Sequence, residues 1–397
     1  MCYRLMKRIK NLVLLSLLAV ASTVNAQDAP SPQVEPTVEN TDTVAKHRNI
    51  IQKIVDYVND KDNSSLEKKG LSWSFIGGPY YSSDVKFGVA ITGTANYRLK
   101  GCDPSMQPSF ASAYATISTK GFWTVGMEGT TFFAQDKSRL NYEMSFAYAP
   151  RNFWGMGYEA GSIDSMSVNL KQNEARVHLE YVMKLMPNFF IGPSAEWIYD
   201  KAGTMERPEL LAGQDRVVRN YGLGFTVQYD SRDLITNASR GVYVHLNTMF
   251  KPKFMWNKYA FTTVDFTTSY YHTAWRDAII AGQVCTKFNF GNPSWASMAL
   301  LGGNEMMRGY YKGRFRDKHM ASAQVELRQH IWRRNGVVVW GGIGNVFHDG
   351  ESFKKHWLPN YGVGYRWEFR KRMNIRLDLG FGKHGQSGVI FSMNEAF

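Results

Sequence analysis

"LNYEMSFAY", Leu140 to Tyr148, alternates without a break. Leu140, Tyr142, Met144, Phe146 and Tyr148 fall on one face of an extended chain, and Asn141, Glu143, Ser145 and Ala147 on the other. The same period of two recurs from about Leu71 to the end. "RVHLEYVMKL" sets Val177, Leu179, Tyr181, Met183 and Leu185 against Arg176, His178, Glu180 and Lys184. "VGYRWEF" and "IRLDLGF" set aromatic and aliphatic residues against Arg366, Glu368, Arg376 and Asp378. Strands of soluble sandwiches usually run about five or six residues. Many of these run to about ten, and their polar face carries full charges. Long strands with an outward apolar band, a polar interior and frequent aromatics mark a membrane-spanning barrel. Lipid cannot satisfy an open sheet edge, so a spanning sheet must close.

The rest of the chain is consistent with that class. It has 397 residues, 14 % of them aromatic, with a mean hydropathy of −0.34. The one long apolar run, "NLVLLSLLAVAS", follows Arg4, Lys7, Arg8 and Lys10 and precedes "VNA" at Val24 to Ala26. That is the layout of a signal peptide over residues 1–26, and it predicts export to the bacterial outer membrane. Residues 27–70 read as a polar linker followed by one short amphipathic helix, with Ile51, Ile54, Val55 and Val58 on its apolar stripe. The all-β barrel is then expected over residues 71–397, with about sixteen antiparallel strands. The long connections near 150–165, 201–217, 292–318 and 348–359 follow odd strands, as they should if the N-terminus is periplasmic. "YDSRDLITNASRGVYV" is a longer turn on the opposite side. Removing residues 1–26, which carry four cations and no acidic residue, takes the formal charge from +13 to +9; this suits contact with anionic lipid and lipopolysaccharide, with ordinary solubility charge as the alternative.

Several patterns carry no chemistry. "GFGKHG", Gly380 to Gly385, has dinucleotide-site spacing but too little chain after it for the helix and strand that such a site needs. The nine histidines are scattered, and no nucleophile–base constellation stands out. No cofactor, metal, nucleic-acid partner or enzymatic activity is expected. Cys102 and Cys285 leave one disulfide arithmetically open.

Three segments together resemble the BamA/TamA superfamily of outer-membrane insertases and transporters. "GFTVQYDSRD" followed by Asn237 and Gly241 resembles its D-x-R-D…N-x-x-x-G strand and turn, at Asp230, Arg232, Asp233, Asn237 and Gly241. "NEMMRGYYKGRFRDK" resembles its long sixth outer loop, with Arg308, Gly309 and Tyr310 at the R-G-[FY] tip that folds back into the barrel. "AQVELR" resembles the next strand, which makes Glu326 the inward acidic partner. The ending "NEAF" resembles the superfamily's C-terminus, with Phe397 as the residue read during insertion; Val389, Phe391, Met393 and Phe397 share one strand face in this reading, and Glu395 interrupts its apolar pattern.

Two departures stand out. Gly342 occupies a position that is commonly Asp in the superfamily, so one carboxylate for the loop arginine is missing. Residues 27–70 are too few for a POTRA domain, which resembles barrel-only proteins of Bacteroidetes-type bacteria. The resemblance implies a barrel that assists outer-membrane protein assembly or export, with nascent outer-membrane proteins and the barrel assembly machinery as partners. A passive pore or structural surface antigen is the alternative, and a lipid hydrolase a third reading. Within the loop, Arg308 is expected in the lumen and Arg314 and Arg316 nearer solvent.

Overall fold

The computed structural model describes residues 71–99, 102, 108–234, 237–370, 372–393 and 395–397. The signal segment, the linker and the amphipathic helix lie outside the described residues. Sixteen antiparallel strands close into a barrel. The first four are β1 (Leu71–Ser82), β2 (Lys86–Tyr97), β3 (Ser109–Ser118) and β4 (Trp123–Phe132). The next four are β5 (Ser138–Phe153), β6 (Val168–Met186), β7 (Phe189–Ala202) and β8 (Val217–Asp230). Next come β9 (Gly241–Lys251), β10 (Phe261–Trp275) and β11 (Ala278–Gly291). A two-residue hairpin, β12 (Ala299–Leu300) with β13 (Arg316–Asp317), lies within the following loop and outside the barrel sheet. The barrel resumes with β14 (His319–Trp332), β15 (Asn335–Phe347), β16 (Leu358–Arg370), β17 (Met373–Gly382) and β18 (Ser387–Met393).

The alternation read from the sequence decides which face is which. On β14, Met320, Ser322, Gln324, Glu326 and Arg328 are buried toward the lumen, while Val325 lies exposed on the outer face. Trp73, Phe75, Ile91, Ile117, Phe146 and Tyr361 continue the outer apolar face around the barrel. The outer loops fold together rather than hanging free. Phe153, Leu170, Leu211, Val218 and Trp295 share one buried cluster drawn from four connections and the strands beneath them. The Trp295 indole N–H donates to the Asp215 carbonyl at 2.9 Å, tying two of those loops together.

Ladder lengths are uneven around the wall. β5 and β6 pair from Ser138 opposite Met183 to Phe153 opposite Val168. Among the described residues, β1 and β18 meet only at Tyr81 opposite Phe391 and Ser82 opposite Ile390. Cys102 and Cys285 are not joined in a disulfide.

Candidate functional site

The loop between β11 and β14 enters the lumen, and its tip is anchored by Arg308. That side chain is fully buried. One Nη donates to Glu326 Oε1, and the other donates to Asp378 Oδ2 at 2.8 Å. The guanidinium carbon lies 3.7 Å from the centroid of the Trp340 ring, on whose face a cation is favoured. Glu326 points inward, as the alternation of β14 requires, and pairs with the loop arginine, as the resemblance implies. The missing carboxylate at Gly342 is a different matter. A second carboxylate is present after all, on β17 instead of β15. Gly342 itself has no room for one: a Cβ there would lie 2.5 Å from Asn360 Oδ1 and 2.8 Å from the Ala323 carbonyl. Asn360 uses its Nδ2 to donate to the Arg308 carbonyl at 3.2 Å.

Asp378 and Glu326 belong to a larger ionic cluster. Arg328 Nε donates to Glu326 Oε2 at 2.9 Å. Arg366 donates to Asp378 at 2.5 Å and to Glu395 at 2.8 Å. Arg376 lies 3.6 Å from Asp378 and donates to Ser392 and to the Asn304 carbonyl, each at 2.9 Å. Four arginines thus face three carboxylates, all at or near full burial. A buried charge is tolerated only when paired and hydrogen-bonded, and here each carboxylate serves at least two guanidiniums. Glu395, which interrupts the apolar pattern of the C-terminal segment, is one of those three carboxylates.

The two residues after Arg308 explain the glycines of the rejected "GFGKHG" motif. Gly309 has φ of 107°, and a Cβ on it would lie 2.8 Å from the Gly380 carbonyl carbon. A Cβ on Gly380 would lie 2.7 Å from the Arg308 backbone, and one on Gly382 would lie 2.4 Å from the Tyr310 ring. The glycines of β17 therefore let the loop backbone and Tyr310 lie against the barrel wall. Tyr310 donates its hydroxyl to the Pro359 carbonyl at 2.7 Å and accepts from the Lys383 N–H at 2.7 Å. Met306, Met307, Tyr310 and Phe315 pack with Leu301, Met320, Val346 and Leu358 in one buried cluster. That cluster accounts for the apolar residues among the cations. Gly380→Ala is expected to cost about 1–3 kcal/mol through overpacking and to make the loop more sensitive to added protease, measured on intact cells.

Arg314 and Arg316 do not stay near solvent. Arg314 donates to the Gly161 carbonyl at 2.7 Å and to Asp164 at 2.6 Å. Arg316 donates to the Gly313 carbonyl at 2.9 Å and lies over Phe153. Both are buried, because the loop that bears Gly161 and Asp164 folds down onto them. Separation along the chain could not reveal that packing.

The strand-and-turn motif forms a second feature at the opposite, end-bearing rim. Asp230 grips Arg232 with both carboxylate oxygens, at 2.9 and 2.6 Å, and Arg232 lies over Tyr243 at 4.1 Å. Gly241 has φ of 109°, and a Cβ there would lie 2.4 Å from the Ser231 carbonyl. Asp233 accepts from the Ser239 N–H at 2.9 Å and from its hydroxyl at 2.6 Å. It also accepts from Arg372 Nη2 at 2.8 Å. The same Arg372 donates to the Asn237 carbonyl at 2.7 Å, and Asn237 Nδ2 donates to the Arg372 carbonyl at 3.3 Å. Arg372 sits in the β16–β17 turn, near the far side of the barrel from β8. The motif turn therefore crosses beneath the lumen and is latched on the other wall.

Phe397 joins this feature, and its side chain is not where strand alternation put it. β18 ends at Met393; Phe397 is buried with Ala238, Tyr271, Ala281 and Ala396 inside the mouth. Its carbonyl accepts from Arg328 Nη2 at 2.9 Å. Burial pushes the Asp233 carboxyl up, but the hydrogen bonds from Ser239, Arg372 and Arg240 together outweigh it and hold the group well below the usual carboxylate range. A depressed carboxyl stabilises the fold above its unfolded pKa of about 3.9, and that stabilisation is lost as pH falls through the lower folded value. The latch should accordingly hold throughout neutral and mildly acidic conditions. Arg372→Ala is expected to cost under about 1 kcal/mol, since the pair is partly exposed, yet to raise lumen conductance measured in planar bilayers.

The sixteen-stranded barrel, the inserted loop and its buried arginine define an outer-membrane-type barrel with a loop-filled lumen. A model of the Omp85 superfamily domain matches residues 82–397, and the chain belongs to that superfamily. Among solved structures it is similar to BamA from Haemophilus ducreyi lacking POTRA domains 1–3, with 12% identity and a TM-score of 0.57, covering 82% of this chain and 70% of that one. It is also similar to CdiB from Acinetobacter baumannii, with 9% identity, a TM-score of 0.55 and coverage of 82% and 60%. CdiB from Escherichia coli gives 8%, 0.53, and 82% and 62%. The chain thus spans under two thirds of either CdiB. At these identities the likeness is one of fold. The comparison with curated proteins gives no match. The fold is characteristic of bacterial outer-membrane proteins.

Proposed function

We propose that this barrel assists the insertion or export of other proteins at the outer membrane, with its own seam as a pairing template. The observation that carries the reading is the seam. Residues 71–80 of β1 pair with β2 but have no β18 partner among the described residues. An unsatisfied strand edge invites addition of another strand. Such an edge in lipid is costly, so a client strand that completed it would be stabilised there. Chemistry by side chains plays no part in this reading; backbone pairing does the work. Nascent outer-membrane proteins are the clients in this account, and outer-membrane lipid and lipopolysaccharide the surroundings.

A passive pore is disfavoured by the plug, since Arg308, Tyr310 and Phe315 fill the lumen side of β14–β17. Depletion of the protein followed by profiling of the outer-membrane proteome tests the proposal. The expected result is loss of a subset of barrel or exported proteins from that membrane. An unchanged profile, together with open-pore conductance from the purified barrel, would favour the passive reading.

A further inference from the structure

The loop between β9 and β10 presents two aromatic side chains almost wholly to the outside. Phe254 is 83% exposed and Trp256 is 85% exposed. These are not frayed residues. Asn257, buried in the same loop, accepts from the Tyr221 N–H at 2.8 Å and donates to the Tyr221 carbonyl at 2.9 Å. Its Nδ2 also donates to the Pro252 carbonyl at 2.9 Å. The amide thus stands in for a ladder partner and clips the loop to the upper part of β8. Trp256 adopts the left-handed backbone conformation, with φ of 62°, at the end of a tight turn over Lys253–Met255. A left-handed tryptophan is uncommon, and here it swings the indole away from the barrel.

Position gives the aromatics a partner. The last pair of β8 with β9 is Leu223 opposite Phe250, and both are exposed on the outer apolar face. Phe225 stacks obliquely on Phe250 just below. Phe254 and Trp256 therefore continue the apolar band upward at its outer edge, beside Tyr221. Lys253 is exposed next to them. Aromatic rings at the headgroup level, with a lysine whose ammonium reaches the phosphates, form a membrane-interface anchor.

We infer that the β9–β10 loop is such an anchor, seated in the headgroup layer of the outer leaflet and holding this wall of the barrel, roughly opposite the β1–β18 seam, at a fixed depth. The inference rests on the membrane reading of the barrel, and the test separates the two. Wild-type protein and Trp256→Phe are reconstituted into phospholipid vesicles, with and without bromine near the headgroup end of the acyl chains. The difference in tryptophan fluorescence between the two proteins isolates Trp256. Shallow bromines are expected to reduce that difference roughly twofold, with little quenching by aqueous iodide. A difference signal unaffected by bromine and quenched by iodide would overturn the anchor and leave the residues for water or a protein partner. In that case the total signal would still be quenched through Trp73 on the outer apolar face and the exposed Trp275; if it were not, the membrane reading itself would fail.

Discussion

Arg308→Ala is expected to release the inserted loop from the lumen. The change strands Glu326 on one side and Asp378 on the other, both fully buried. Removing one member of a buried ion pair costs about 3–5 kcal/mol. Arg328 still holds Glu326 at 2.9 Å, and Arg366 holds Asp378 at 2.5 Å, which places the loss toward the lower part of that range. The alanine also vacates the face of Trp340. The measurable outcomes are cleavage of the loop by external protease, higher lumen conductance and loss of client assembly. Arg314→Ala and Arg316→Ala make an informative comparison. Both arginines are buried, but they join outer loops to one another and do not touch the ionic cluster. They are expected to loosen the cap and leave lumen conductance close to wild type. Conductance rising equally in all three variants would contradict a special role for Arg308.

Asp378→Ala is the second large effect. One carboxylate serves Arg308, Arg366 and Arg376, and its loss leaves four buried guanidiniums facing only Glu326 and Glu395. The expected cost is on the order of 3–5 kcal/mol, seen as loss of the heat-modifiable folded band on gels. Asp378→Asn keeps the shape and one acceptor and should be milder. Position 342 offers no rescue. Gly342→Asp added to Asp378→Ala should not restore folding, because the new Cβ would meet Asn360 and the Ala323 carbonyl. Full rescue by that double change would mean that the Asn360 side chain moves aside freely and that the geometry around Gly342 is not restrictive.

Much of the fold was legible because strand alternation is a local property. The sixteen strands, the lumen face of β14 and the inward Glu326 all follow from a period of two. The loop tip was legible only through the family resemblance, since spacing alone leaves a basic surface loop equally reasonable. What escaped depends on contacts between distant segments. Arg376 and Asp378 could be assigned to the polar face of β17, but nothing local says that Arg308 reaches Asp378. The burial of Arg314 and Arg316 depends on a loop some 150 residues earlier in the chain. Phe397 misled for a different reason: alternation was extended through residues that lie past the end of β18, where the chain turns into the mouth. The glycines of "GFGKHG" did carry a signal, a close backbone approach, although the approaching group is the chain's own loop and no phosphate.

If client strands add at the β1–β18 seam, that seam must open during function. Ser82 and Ile390 are Cα partners across it, close enough for cysteines at both positions to form a disulfide. The decisive measurement uses Ser82→Cys with Ile390→Cys in a Cys102→Ser, Cys285→Ser background, and follows outer-membrane protein assembly in cells before and after reduction. The oxidised barrel is expected to fold and reside in the membrane normally but to fail to support its clients, and reduction is expected to restore them. Normal client assembly with the seam quantitatively crosslinked would contradict opening of the seam.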